Sequence, residues 1–209
     1  MEKKGLCCAI IGQHPMRFPW GFDEDDSGCQ DLKLALAQKI MELRQQGVMR
    51  FAVVADCGIG LYAGECINAL RQHDVDLMLF VVSPHEEQAT KWAPYLRDRY
   101  FKLLEDCTLM ELASYRRTPE CEYDAYRKII DYADMALAVY DPTTTRGDAV
   151  DRARVCAPAW PTSKLHRQGY LNVRAENVSI IPRGRIILPI PRGFSSKCSL
   201  QIWLSALKC

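Results

Sequence analysis

Short runs of consecutive apolar residues alternate along this chain with longer stretches in which apolar residues recur every three or four positions. The first run, residues 6–11, is closed by Gly12 and Pro15 and predicts a buried strand that leads into a loop. That loop carries Pro15, Pro19, Gly21 and the acidic cluster Asp23, Glu24, Asp25 and Asp26. Asp31 is then expected to open a helix, with Leu32, Leu36, Ile40 and Leu43 on one face and Gly47 as its stop. Residues 51–55 predict a second buried strand, residues 56–60 a turn, and residues 61–72 a helix with Tyr62, Cys66, Ala69 and Leu70 toward the core.

A third strand is expected over residues 77–82, ended by Ser83 and Pro84. Residues 86–107 read as helical, interrupted near Pro94, with a short strand over residues 108–112 after them. Thr118 and Pro119 have the pattern of an N-cap followed by proline at the first helical position, which predicts a helix to about residue 133 with Tyr126, Ile129, Ile130 and Ala133 on one face. Residues 135–140 are another continuous apolar strand, and a Thr-rich loop from Asp141 to Gly147 leads to a helix over residues 148–156.

Continuous apolar strands that alternate with amphipathic helices imply a parallel sheet covered on both faces. The fold class is therefore α/β: a doubly wound, mainly parallel sheet flanked by helices. In such sheets ligands bind outside the carboxyl ends of the strands, where the strand order reverses. The loops at residues 12–19, 56–60, 83–88 and 141–148 are the ones to inspect. Gly58, Gly60 and Gly147 can bring backbone N–H groups toward an anion at a helix N-terminus. Neither a P-loop nor a complete dinucleotide fingerprint follows them.

Charge divides the chain into two unlike parts. Residues 1–158 hold 19 basic and 25 acidic residues, about −6, whereas residues 159–209 hold 8 basic residues and Glu176 as the one acidic residue, about +7. The first part is expected to be the folded domain and the second a basic tail, weakly structured or atypical. The tail raises the possibility of nucleic-acid association, but its charges are scattered and its aromatic residues do not interleave with them as a stacking platform requires. Residues 180–185 and 186–190 suggest two short strands that Pro182 and Pro189 would confine to sheet edges.

No segment approaches the roughly 18 apolar residues of a membrane span, and residues 6–11 are too short for a signal peptide core. A cytosolic protein without a membrane partner is expected. The ten cysteines include no CxxC pair, and Cys7, Cys8, Cys66, Cys107 and Cys156 sit in apolar or helical patterns, so reduced thiols are expected. His14, His73, His85 and His166 lack metal-ligand spacing with them; neither a metal nor another cofactor is called for.

Several local motifs occur together in one order. Gly12, Gln13, His14 and Pro15 with Pro19, Trp20 and Gly21 resemble a G-H-R-P…P-W-G opening, and Leu61 to Glu65 resembles an L-W-A-A-E helix start. Residues 87–92 and 96–104 are similar to an E-x-Q-A-x-x-W…L-R-x-R-Y segment, and residues 138–141 resemble the strand end before a final glycine loop. Over about residues 6–157 the chain resembles the YpsA-like family of the SLOG (SMF/DprA-LOG) superfamily. The resemblance implies a Rossmann-like domain that binds a nucleotide or nucleotide-derived ligand. Superfamily relatives include phosphoribohydrolases, which cleave N-glycosidic bonds of nucleoside monophosphates, and a single-stranded-DNA-binding protein.

The ligand loops depart from the pattern. Val53 and Val54 replace an S-G pair, Gly58, Ile59 and Gly60 replace G-V-D, and Gln13 and His14 replace H-R. Asp124, Ala125 and Tyr126 stand at the family's basic and Asn positions, leaving Arg127, and Asp148 follows Gly147 where a phosphate grip has Thr or Ser. Core positions fit while ligand loops drift, which points to a retained fold with altered or lost ligand chemistry.

The candidate ligand-binding residues are Gly12, His14, Pro15, Gly58, Gly60, Glu65, Trp92, Arg117, Arg127, Asp141 and Gly147. Glu65 is also the candidate catalytic residue, as a general base or a ribose ligand, against the alternative that it interacts favourably with its own helix N-terminus. Trp92 could stack on a base or pack between helix and loop. Arg116 and Arg117 could pair with phosphate or be solvated. The expected function is binding of a nucleotide-like small molecule at the strand ends, with or without catalysis. An N-glycosidic-bond hydrolase using Glu65 is the alternative, and a nucleic-acid module using the basic tail is a third.

Overall fold

The computed structural model describes residues 5–139 and 178–182. Its strands are β1 (Leu6–Gly12), β2 (Val48–Val54), β3 (Met78–His85), β4 (Leu109–Ser114), β5 (Met135–Val139) and β6 (Val178–Pro182). They form one sheet in the order β4-β3-β2-β1-β5-β6. β1 to β5 are mutually parallel, and β6 pairs antiparallel with β5 at the edge. The helices are α1 (Ser27–Gln45), α2 (Ile59–Arg71), α3 (Pro94–Asp106) and α4 (Cys121–Tyr132).

Alternation along each strand sorts its side chains between two cores. Cys8 and Ile10 of β1, Phe51 and Val53 of β2, and Leu79 and Val81 of β3 pack with Leu36, Ile40, Ile59, Ile67 and Leu103 from α1, α2 and α3. The intervening residues, among them Ala9, Ala52, Ala136 and Ala138, face Ala125, Tyr126, Ile129 and Ile130 of α4. Small residues dominate that second face of the sheet, which leaves room for the Tyr126 ring. Helices on both faces explain why the strands read as unbroken apolar runs.

Several boundaries differ from those expected, each for a local reason. α1 begins at Ser27 rather than Asp31, because the Asp26 carboxylate accepts the Gly28 N–H at 2.7 Å and caps the helix. Its other end agrees: Gly47 takes a left-handed φ of 94° just past the last turn. β3 continues through Ser83 and Pro84 to His85, since β2 pairs with it only as far as Val82 and a proline beyond that point breaks no ladder on that side. Residues 86–93 form turns, and the helix starts only at Pro94, where the fixed φ of proline suits a first helical position. Thr118 and Pro119 precede α4 in a turn closed by the Cys121 N–H on the Thr118 carbonyl, so α4 starts two residues later than Pro119. The helix expected over residues 148–156 and the strand over residues 186–190 lie outside the described residues.

Candidate functional site

β1 and β5 lie side by side, yet the connections they serve cover opposite faces: β1 leads into α1 on one face, and α4 delivers the chain to β5 on the other. This is the point of strand-order reversal at which doubly wound sheets hold ligands. The Gln13 N–H donates to the Val139 carbonyl at 3.2 Å and ties the end of β1 to the end of β5.

β1 ends at Gly12, where there is no space for a side chain. A Cβ there would stand 2.2 Å from Cβ of Ile59, the first residue of α2. His14 follows and caps a 3₁₀ turn at Pro15–Arg17, its Nδ1 accepting the Met16 N–H at 3.3 Å. The other ring nitrogen, Nε2, lies 3.6 Å from Cys57 Sγ. The Phe22 ring meets the imidazole edge-on at 5.7 Å. Burial pushes the Cys57 thiol up to about 12, so it stays protonated at neutral pH and is no thiolate nucleophile.

At the end of β2 the Ala55 N–H still pairs with Val82, and the chain then turns sharply at Asp56. One Asp56 oxygen, Oδ1, accepts the N–H groups of Gly58 at 2.8 Å and Gly60 at 3.0 Å. The other, Oδ2, accepts the Tyr126 hydroxyl at 3.0 Å. That hydroxyl also lies 3.4 Å from the Gly12 carbonyl, so α4 reaches past the sheet to both strand ends. Burial raises the Asp56 pKa, against the opposing pull of the two glycine N–H groups, Tyr126 and the nearby His14 ring. Gly60 has no alternative, since a Cβ would sit 1.9 Å from the Val54 carbonyl oxygen.

Gly12, His14, Pro15, Gly58 and Gly60 therefore converge around Asp56, with the Pro15 ring against Gly58. Glu65 faces elsewhere. Both of its oxygens bind Arg99, Oε1 to Nε at 2.6 Å and Oε2 to Nη2 at 2.7 Å. Arg99 also donates to Glu24 at 2.6 Å, and Glu24 to Lys33 is 2.5 Å. Lys33 lies over the Tyr62 ring, 4.6 Å from its centre. Burial alone would raise the Glu24 carboxyl, but Arg99 and Lys33 hold it below the usual range.

Trp92 is half-buried and meets Tyr100 edge-to-face at 5.3 Å, a packing role between the 86–93 turns and α3. Arg117 lies exposed in the β4–α4 loop, and Arg127 is exposed on α4 beside Asp131 at 3.8 Å. Asp141 and Gly147 are outside the described residues. Among the described residues no group of three or more His, Cys, Asp or Glu could hold a metal ion, and the described cysteines are free thiols. No helix among them is long and apolar enough to cross a membrane.

The sequence reading missed Asp56, Tyr126 and His85 as site residues. An Asp directly after a buried strand and two residues before Gly was the available signal for Asp56. Tyr126 had none, because its position on the apolar face of α4 marks only packing. His85 ends β3 in a buried position, and its Nδ1 has no hydrogen-bond partner among the described residues. A cavity of about 1060 Å³ opens at the opposite, amino-terminal ends of the strands, lined by Arg50, Met78, Leu109, Glu111 and Tyr132. It is remote from the strand-end cluster.

The fold is that of a Rossmann-like α/β protein. The chain belongs to the YspA SLOG family, whose family model matches residues 8–154. A UPF0398 protein of Bacillus licheniformis is 28% identical over 136 residues, covering 64% of this chain and 73% of that protein. The UPF0398 protein YpsA of Bacillus subtilis is 26% identical over 137 residues, covering 64% of this chain and 75% of its own length. A UPF0398 protein of Halalkalibacterium halodurans is 31% identical over 84 residues, 40% of this chain and 44% of that protein.

Proposed function

We propose that this chain binds a nucleotide or nucleotide-derived ligand at the carboxyl ends of its parallel strands, in the crevice where β1 and β5 part. The observation that carries the reading is the convergence of Gly12, His14, Pro15, Gly58 and Gly60 from the ends of β1 and β2 around the Asp56 turn. Close glycine contacts keep the loops low against the sheet, and the 3₁₀ turn at Pro15–Arg17 packs its Pro15 ring against Gly58.

The binding reading is preferred to hydrolysis of an N-glycosidic bond because of Glu65. A general base must lie within hydrogen-bond reach of the proton it takes, and Glu65 is held by Arg99 of α3 through both oxygens, with no hydrogen bond to the Asp56 cluster among the described residues. In this arrangement Glu65 positions Arg99 and the α2–α3 pair. Mass spectrometry of small molecules carried through native purification tests the proposal without presuming a reaction. Recovery of a nucleoside-containing compound is the expected result; an empty protein that also fails to bind any of a panel of nucleosides and nucleotides overturns it. Release of free base from nucleotides, abolished by Glu65→Gln in a folded protein, would restore the hydrolase reading.

A further inference from the structure

The amino end of α2 is the place in this fold where a ligand phosphate would be expected, because unpaired N–H groups and the helix dipole both favour an anion there. In this chain two of the N–H groups at that end are already taken. Gly58 and Gly60 both donate to Oδ1 of Asp56, at 2.8 and 3.0 Å. The carboxylate cannot swing away as a loose cap would, since Tyr126 holds Oδ2 at 3.0 Å from the other side of the sheet. On the side of α2 the carboxylate has no room to move: a Cβ on Gly60 would lie 3.1 Å from Oδ2 and against the Val54 carbonyl.

We infer that Asp56 is this chain's own replacement for a ligand phosphate at the amino end of α2, so that the strand-end site accepts an uncharged, nucleoside-like group there and rejects a phosphate. The inference deepens the proposed ligand binding and rests on it for the identity of the ligand; the occupancy of the α2 terminus by Asp56 stands on the geometry alone. A second anion would have to compete for two N–H donors already bonded and would face a like charge at hydrogen-bond distance. Protonation of Asp56 would remove the charge but leave the space filled. What remains open to a ligand at this position is a group that donates a hydrogen bond to the carboxylate, as a sugar hydroxyl or a base amino group does.

The test follows the Gly58 and Gly60 amide resonances of the full chain during titration with inorganic phosphate, then with adenosine and adenosine 5′-monophosphate. In the wild type neither resonance should shift saturably with phosphate, and adenosine should bind at least as tightly as its monophosphate. Asp56→Ala vacates the position, and both amides should then respond saturably, with phosphate affinity at least tenfold above the wild type. If Asp56→Ala does not fold, Asp56→Asn still accepts from both amides while losing the charge, and its phosphate affinity should rise about threefold. A saturable phosphate response at these amides in the wild type, tighter binding of the monophosphate than of adenosine, or no gain in a folded variant would overturn the inference. Failure of both adenosine compounds to perturb any strand-end resonance would count against the ligand reading, while the phosphate titration of the variants would still decide the role of Asp56.

Discussion

The Tyr126 hydroxyl donates to Asp56 Oδ2 at 3.0 Å, joining the helix on one face of the sheet to the turn that starts the helix on the other. The sheet itself lies between the two cores that this bond connects. Removing the hydroxyl in Tyr126→Phe leaves the ring packed and deprives a buried carboxylate of one donor. Such a loss costs about 1–3 kcal/mol. Urea unfolding should show a lower midpoint with an unchanged slope; an unaltered midpoint would mean that water replaces the hydroxyl at no cost.

Arg99 joins Glu65 on α2 to Glu24 in the loop before α1. Its side chain is 25% exposed, so the pair lies between surface bridges, worth about 0–1 kcal/mol, and buried ones, whose disruption costs about 3–5 kcal/mol. Arg99→Met should destabilise the fold by about 1–3 kcal/mol. A double-mutant cycle with Glu65→Gln should give a coupling energy clearly above zero, about 0.5–3 kcal/mol. Strict additivity would show that the two side chains do not act together.

Acid should weaken the same network. The folded-state pKa of Glu24 lies below its ordinary value of 4.5, so on acidification the unfolded chain takes up this proton first. The stabilisation is therefore present above about pH 4.5 and is lost as pH falls through the lowered value. Asp56 has the opposite sign: its pKa is raised above 3.8, and its contribution fades as pH rises through the folded value. Chemical unfolding across this range should show a flatter acid limb for Glu24→Gln and a gain at neutral relative to acidic pH for Asp56→Asn. Parallel pH curves for wild type and Glu24→Gln would be the contrary result.

Two glycines should respond very differently to alanine. At Gly60 a Cβ would lie 1.9 Å from backbone that cannot yield, so Gly60→Ala should cost several kcal/mol, about 3 or more, or prevent folding. At Gly47 a Cβ would have open space, and only the left-handed φ of 94° opposes it, a cost of about 1 kcal/mol. Thermal unfolding of the two variants side by side distinguishes backbone collision from backbone conformation.

Most of the sheet was legible because both of its faces are covered. Strands such as β1, β2 and β5 bury side chains on both sides and so appear as unbroken apolar runs, and the helices between them show a 3.6-residue period. Element starts were less legible where capping is a choice among neighbours. Asp31 has the pattern of a start for α1, yet it is the Asp26 carboxylate, placed by the fold on the Gly28 N–H, that caps the helix. Thr118 and Pro119 have the right pattern but are used in a turn, and the packing of Cys121, Ala125 and Ile129 on the sheet sets where α4 begins.

Of the candidate site, the sequence by itself determined the loops: glycines after β1 and before α2, a histidine and a proline beside them, and the family to which the chain belongs. It also determined the unequal charge of the two parts of the chain, since charge is a sum over residues. Only the tertiary structure decided what the polar groups do. Glu65 is turned to Arg99, 34 positions away, and Asp56 to Tyr126, 70 positions away. Hydrogen bonds form between groups that packing brings within about 3 Å, and sequence separation says nothing about that distance. The periodicities that reveal an element are local, whereas the partner of a buried carboxylate is selected by the way two layers of helices close on a sheet.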